Sequence, residues 1–175
     1  MDGPRIVVTG VTGTGKTTLA RQLAERYGVR HVELDALNWE ANWVQAPTEV
    51  FRERVAKATA GNGWVVDGNY SAAHDITWPR ATMFVWLDYP LPLILWRLGF
   101  RILRRSITRE RLWNGNQESL SAHLFKKDSL ILWALHTYSQ RKKKYGDAIC
   151  RWKSEGVEAL RFGWPRETER WLRAL

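Results

Sequence analysis

The run Gly10-Val11-Thr12-Gly13-Thr14-Gly15-Lys16-Thr17 sets a lysine and a hydroxyl directly behind three glycines, with the spacing G-x-x-x-x-G-K-T. That is the Walker A spacing, and its chemistry is the grip on a nucleoside triphosphate tail. Glycines let the backbone wrap so that successive N–H groups point inward at phosphate oxygens. A helix beginning near Lys16 adds the positive end of its dipole. Lys16 supplies a mobile charge for the β- and γ-phosphates, and the Thr17 hydroxyl is placed to ligate Mg²⁺. Gly10, Thr12, Gly13, Thr14, Gly15, Lys16, Thr17 and Thr18 are therefore the expected nucleotide-binding residues. The alternative is a plain glycine-rich turn. Its surroundings favour phosphate, because a β-rich run precedes it and an amphipathic stretch follows, with Leu19 and Leu23 four residues apart. No N-K-x-D guanine-reading segment and no L-S-G-G-Q signature occurs. A small kinase using ATP and Mg²⁺ becomes the leading class.

Two carboxylates stand where a kinase would need them. Asp35 and Asp67 each close an apolar run that reads as a strand beside the first, which projects both into the crevice at the carboxyl edge of a sheet. One can hold Mg²⁺ through water while the other receives a proton from an acceptor hydroxyl; turn-capping is the bland alternative for each. Arg97, Arg101, Arg105 and Arg109 recur every four residues and make one basic stripe on a helix, with Arg104 alongside; the alternatives to a phosphate-directed role are a solvated face whose arginines snorkel and a contact with nucleic acid. Trp39, Trp43 and Trp78 are either a flat wall for a planar or sugar-like acceptor or plugs under long loops.

The elements that must carry these groups alternate. Arg5 to Thr9 reads as a strand and Lys16 to Arg26 as a helix ended by Tyr27-Gly28. His31 to Leu34 is a second strand ending in Asp35. Thr48 caps a helix to about Ala60 with Val50, Phe51, Val55 and Ala58 inward. Asn62-Gly63 turns into the strand Trp64 to Val66, which ends at Asp67, and Thr82 to Leu87 is a fourth strand ending at Asp88. Pro90 to about Ile107 and Asp128 to Tyr145 are long helices flanking the irregular stretch Thr108 to Lys127. Val157 to Phe162 is a fifth strand, and Pro165 to Ala174 closes the chain as a helix. Strands alternating with helices, the fourth strand apolar throughout, predict a doubly wound α/β parallel sheet. Arg141-Lys142-Lys143-Lys144 reads as the solvated end of a helix.

A resemblance joins these segments. The Walker A opening, Glu33-Leu34-Asp35-Ala36-Leu37-Asn38-Trp39, Trp64-Val65-Val66-Asp67-Gly68-Asn69-Tyr70 and Val85-Trp86-Leu87-Asp88-Tyr89-Pro90, followed by an Arg-rich helix, resemble the adenylate-kinase-like P-loop group known as DNA topology modulation proteins. The resemblance implies a P-loop NTPase fold with three α/β/α layers and a five-stranded parallel sheet in the order 2-3-1-4-5. It also implies ATP with Mg²⁺, an acceptor beside the second and third strands, and one domain over residues 1–175 with about 97–127 as a helical lid. Asp67 matches the D-G position of adenylate kinases, which assigns it to the metal with Thr17. Asp35 is then left for acceptor binding or base work. Arg101 and Arg105 become the lid arginines expected to close on the transferring phosphoryl group, and Trp113-Asn114-Gly115-Asn116 becomes the lid tip, touching phosphate or ribose. Gly163-Trp164 follows the last strand, where such folds hold adenine. Adenylate kinases read D-G-F-P-R where this chain has Asp67-Gly68-Asn69-Tyr70-Ser71. The arginine that grips a monophosphate is missing there, with Arg80 as a candidate spatial substitute. A hydroxyl acceptor fits better.

Composition sets the outer bounds. The 175 residues hold 27 Lys and Arg against 18 Asp and Glu, a net charge of +9 that attracts polyanions. A nucleotide-dependent nucleic-acid-binding or regulatory NTPase is accordingly the second reading. One cysteine, Cys150, leaves no pair for a disulfide or zinc site, and His31, His74, His123 and His136 lack metal-ligand spacing. The longest apolar stretch, Tyr89 to Phe100, is interrupted by Arg97 and too short to cross a bilayer. With no signal pattern at the N-terminus, the expectation is a cytoplasmic monomer or homodimer whose partners are ATP and a small-molecule acceptor, without a membrane.

Overall fold

The structure is a computed structural model that describes residues 3–108, 112–116 and 130–175. Its centre is a parallel sheet of β1 (Arg5–Gly10), β2 (Arg30–Glu33), β3 (Trp64–Asp67), β4 (Met83–Leu87) and β5 (Glu158–Phe162) in the order β2-β3-β1-β4-β5. β1 pairs in register with β3 through Val7 and Val66, and with β4 through Val7 and Phe84. The chain leaves β1 toward β2 and β3, then crosses to β4 on the other side. That reversal opens a crevice beyond the carboxyl end of β1.

Both sheet faces are covered, which explains why the inner strands β3 and β4 are almost wholly apolar, while the edge strands β2 and β5 carry charged residues. On one face, Phe51 and Val55 of α3 (Thr48–Ala58) and Tyr145, Ile149 and Trp152 of α6 (Leu130–Ser154) pack on Val7, Trp64, Val66, Phe84 and Trp86. On the other, Leu19 and Leu23 of α1 (Lys16–Tyr27) and Ile94, Leu98 and Ile102 of α5 (Leu91–Thr108) cover Ile6, Val8, Val65, Val85 and Leu87. Trp171 and Leu172 of α7 (Pro165–Ala174) join that second face. Alternate residues of each strand thus feed opposite layers, as the pleat requires. Among the described residues no helix is long and apolar enough to cross a membrane.

Several boundaries differ from expectation. β2 ends at Glu33, because its partner β3 ends in register at Asp67. Asp35 therefore lies in the first turn of a short helix, α2 (Leu34–Asn38), rather than closing the strand. The chain bends there over Gly68, where an added Cβ would come within 2.7 Å of the Leu34 Cβ. Thr48 does not cap α3: Pro47 holds the cap position, no side-chain cap forms, and the helix ends at Ala58. The helix expected to stop at Tyr145 continues to Ser154, since Ala148, Ile149 and Trp152 go on burying against the sheet. It ends instead ahead of Gly156, whose φ of 75° is left-handed. Asp128, where that helix was expected to start, and residues 109–111 and 117–127 of the expected lid lie outside the described residues.

Candidate active site

The loop after β1 has the backbone that its glycines permit. Gly10, Gly13 and Gly15 take φ values of 152°, 87° and 92°. A Cβ on Gly10 would meet Leu87 O and Thr14 Oγ1 at 2.8 Å, and one on Gly13 would meet Ile94 O at 3.1 Å. The buried Thr14 hydroxyl donates to Val11 O at 2.8 Å and holds the turn closed from within. Lys16 reaches back across the loop, with Nζ donating to Val11 O at 3.2 Å. Burial lowers the Lys16 pKa to about 8, against the pull of Asp67 and Asp35; Arg141 and Arg101 lower it further. The charges of those four side chains therefore all act at the ammonium group. Thr18 is exposed on the first turn of α1, and Thr12 is half-buried in the loop.

Asp67 is buried at 2% exposure and is held from two sides. The Thr17 hydroxyl donates to its Oδ2 at 2.6 Å, and His31 Nε2 lies 2.7 Å from its Oδ1. Thr17 Oγ1 is also 3.4 Å from Glu33 Oε1. Burial raises the Glu33 pKa, and a hydrogen bond from the Trp113 side chain opposes that rise. Glu33 and His31 were not singled out as site residues in the sequence. Their place on β2, in register with Val65 and Asp67 of β3, is what brings them here.

Asp35 faces the same crevice from α2. Its Oδ1 accepts the Tyr70 hydroxyl at 2.5 Å, and Asn38 Nδ2 donates to that hydroxyl at 3.4 Å. Burial, then the charge of Asp35, pushes the Tyr70 phenol far above its ordinary range, so it stays a donor. The preceding residue turns the other way. Asn69 Nδ2 donates to Gly10 O at 2.7 Å, and its Oδ1 accepts the Tyr145 hydroxyl at 2.9 Å.

The arginines divide by position. Arg97 donates to Thr14 O at 3.3 Å and lies 5.5 Å over the Tyr89 ring, so it braces the loop. Arg101 is half-buried and its charge acts on Lys16. Arg105, one turn further along α5, is half-buried and Arg104 is exposed. Arg109 lies outside the described residues. Arg141 corrects the sequence reading. It stands in the body of α6 rather than at a solvated helix end, half-buried, and its charge acts on both Lys16 and Asp35. The spacing Arg141–Tyr145 was the missed signal, since i and i+4 share a helix face and Tyr145 faces the sheet.

Three further expectations change. Trp78 is not an acceptor wall: it stacks on His74 at 3.7 Å and meets Phe84 and Trp152 edge-on in the core. Arg80 hydrogen-bonds Gly61 O at 3.3 Å, and its carbonyl receives Arg5 Nε, at the amino end of the sheet and away from the crevice. Trp113-Asn114-Gly115-Asn116 fastens onto protein. Asn114 Nδ2 donates to Trp39 O, Asn116 Nδ2 donates to Glu40 O at 2.8 Å, and Asn116 Oδ1 accepts Trp43 N at 2.9 Å. Trp39 and Trp43 meet edge-on beside these bonds, as do Trp43 and Trp113, so the three rings form one cluster over this loop. Trp164 is exposed at the start of α7 and borders a cavity of about 510 Å³ with Leu93, Pro165 and Arg166.

The cradle that a Cβ on Gly10 or Gly13 would fill, the desolvated ammonium beside it and the Thr17–Asp67 oxygen pair suit a triphosphate with one divalent cation. Mg²⁺ at such sites takes one or two protein ligands and fills the rest with phosphate oxygens and water.

The chain is similar to several known proteins. A family model described as an AAA domain matches residues 5–37, from β1 through α2. Shikimate kinases of Synechococcus elongatus and of a second Synechococcus strain are 29% identical over 118 residues, covering 56% of this chain and 59% of theirs. The chain thus spans less than two thirds of the length of these curated relatives. The crystal structure of shikimate kinase from Bacteroides thetaiotaomicron superposes with a TM-score of 0.57 at 16% identity, over 98% of this chain and 95% of that one. It shares the fold. A gluconokinase from Sinorhizobium meliloti 1021 gives a TM-score of 0.47 at 20% identity, over 78% of this chain and 75% of that one. The five-stranded order β2-β3-β1-β4-β5 with helices on both faces is the expected P-loop architecture.

Proposed function

We propose that this chain is an ATP- and Mg²⁺-dependent kinase that phosphorylates a hydroxyl of a small molecule. The observation that carries the reading is the opposition of two carboxylates across one phosphate loop. Asp67 is tied to the Thr17 hydroxyl at 2.6 Å on the donor side, and Asp35 faces the crevice from α2 on the acceptor side. When bound, Mg·ATP supplies the transferable phosphoryl group, with Thr17 and Asp67 as the residues that would hold the metal. Lys16 and the inward N–H groups of residues 10–18 bind the phosphates, and Arg101, Arg105 and Arg141 add positive charge where negative charge develops. Asp35 receives the proton of the acceptor hydroxyl. Most of the rate then comes from positioning and charge rather than covalent chemistry.

The finer assignments belong to the same proposal. Trp164 and the cavity beside Leu93 take the adenine, and Trp39, Trp43 and Trp113 wall the acceptor. Residues of about 97–127 act as the lid of a single domain. The D-G-N-Y and L-D-Y-P segments support membership of the DNA topology modulation group. The shikimate kinase relatives support a hydroxylated small acceptor without naming it. An ATP-consumption screen over nucleosides, nucleoside monophosphates, sugars and hydroxy acids tests the reading. A hit that vanishes in both Lys16→Ala and Asp35→Asn upholds it, and a hit retained at full rate in Lys16→Ala refutes it.

A further inference from the structure

We infer that the turn Asp67-Gly68-Asn69-Tyr70 is a bracket that sets the spacing between the donor and acceptor halves of the site, with Asn69 and Tyr70 as positioning residues. The inference rests on the kinase reading above and adds a division of labour between two neighbours in sequence.

The geometry separates them. Asn69 works toward the donor. Its amide donates to the carbonyl of Gly10, the first residue of the phosphate loop, at 2.7 Å. Its other end accepts the Tyr145 hydroxyl at 2.9 Å, which draws α6 against the loop. Tyr145 sits one helical turn after Arg141, so the same bond restrains the stretch of α6 that carries that guanidinium, whose charge acts on Lys16 and Asp35. Tyr70 works toward the acceptor. Its hydroxyl donates to Asp35 Oδ1 at 2.5 Å, which orients the carboxylate and directs Oδ2 to the acceptor hydroxyl. Tyr70 is itself fixed by the Phe51 ring at 5.1 Å and by Asn38 Nδ2.

The backbone allows no slack between the two. Gly68 has a φ of 137° and lies against Leu34, with no room for a Cβ, and Leu34 is the residue before Asp35. β3, the loop and α2 therefore meet at one tight corner. A change in the direction of this turn would move the phosphate loop and the acceptor carboxylate relative to each other. Transfer between reacting groups is sensitive to displacements of that order.

The test compares Asn69→Ala and Tyr70→Phe in the full chain, using Mg·ATP as the probe and water as the acceptor. Titration calorimetry gives Kd, and steady-state hydrolysis gives kcat and KM. Tyr70→Phe keeps the ring against Phe51, and melting temperatures check both folds. A hydrogen bond to a charged group is worth about ten- to a hundredfold in an equilibrium or rate. Tyr70→Phe is expected to lower kcat about tenfold or more with Kd for Mg·ATP within about twofold of the unsubstituted protein. Asn69→Ala is expected to raise Kd and KM for Mg·ATP about tenfold. If both variants change kcat and Kd alike, or neither does, while the unsubstituted protein binds and hydrolyses ATP, the bracket is refuted and the kinase reading stands. If the unsubstituted protein neither binds nor hydrolyses ATP, both are refuted.

Discussion

The Thr17 hydroxyl and the Asp67 carboxylate meet at 2.6 Å although 50 residues separate them in the chain. One comes from the first turn of α1 and the other from the last residue of β3, and the pairing of β1 with β3 brings them together. A carboxylate at 2% exposure needs partners for both oxygens, and His31 supplies the second at 2.7 Å. Asp67→Asn keeps the shape but removes the charge. We expect it to raise the Mg²⁺ concentration needed for half-maximal ATP turnover by tenfold or more, with about 1–3 kcal/mol lost from stability. A Mg²⁺ titration of turnover together with a urea melt checks both numbers.

Lys16 titrates near pH 8 because burial strips water from its ammonium group. Its folded pKa lies below the unfolded value of 10.5, so the unfolded chain holds more protons between about pH 8 and 10.5. The stability cost of this buried charge is accordingly present below pH 8 and is relieved as pH rises through that window. Phosphates placed at Nζ reverse the shift. Binding of Mg·ATP at pH 8 should therefore take up protons, seen as a dependence of the calorimetric heat on the ionisation enthalpy of the buffer. A binding heat that does not vary with the ionisation enthalpy of the buffer would remove Lys16 as the group that takes up the proton.

His74 lies stacked on Trp78, and burial, then the charge of Lys144, lowers its pKa to about 4 from 6.5. Here too the folded value is the lower one. The neutral ring stabilises the fold above pH 6.5, and that contribution drains away as pH falls from about 6.5 to 4. Melting temperature should decline across this interval in the native sequence. His74→Gln should flatten the decline, whereas an unchanged slope would remove His74 as its source.

Arg141 reaches the site from a basic stretch expected to be the solvated end of a helix. Arg141→Ala is expected to lower ATP turnover about a hundredfold, the order seen when a donor to a developing negative charge is deleted. Arg141→Lys should recover only part of this, because a point charge does not replace the planar fork. Equal melting temperatures in the three proteins would attribute the loss to chemistry. Full activity in Arg141→Ala would exclude the arginine from the reaction.

Asn116 is buried at 4% exposure with both ends of its amide committed to the backbone of residues 40–43. Asn116→Ala leaves two backbone groups without these partners, which costs about 1–3 kcal/mol. The loop from Glu40 to Gln45 should then be cut faster by a protease at concentrations that leave the native protein intact. An unaltered cleavage rate would show that the 112–116 segment does not restrain that loop.

Local pattern made the sheet and the phosphate loop legible, because the inner strands are short apolar runs and the glycine spacing is its own signature. Lys16, Thr17 and Asp67 came with them, since the loop and a strand end determine their positions. Arg141 and the Asn69–Tyr145 bond did not, because the Arg141–Tyr145 spacing puts both on one helix face but does not say where α6 crosses the sheet. Asn114 and Asn116 were read as ligand groups, but three orphan backbone groups of the Trp39–Trp43 loop took their amides first. Asp35 was identified as a site residue but misplaced on a strand, because the end of β2 is decided by its partner β3 rather than by its own residues.

The central claim is that the loop after β1 holds a triphosphate. Titration calorimetry of Mg·ATP into the full chain and into Lys16→Ala, paired with thermal melts, tests it most directly. The account requires a saturable one-to-one isotherm and a raised melting temperature in the native sequence, both lost in a Lys16→Ala protein that remains folded. An absence of heat and of any melting shift in the native sequence would contradict it.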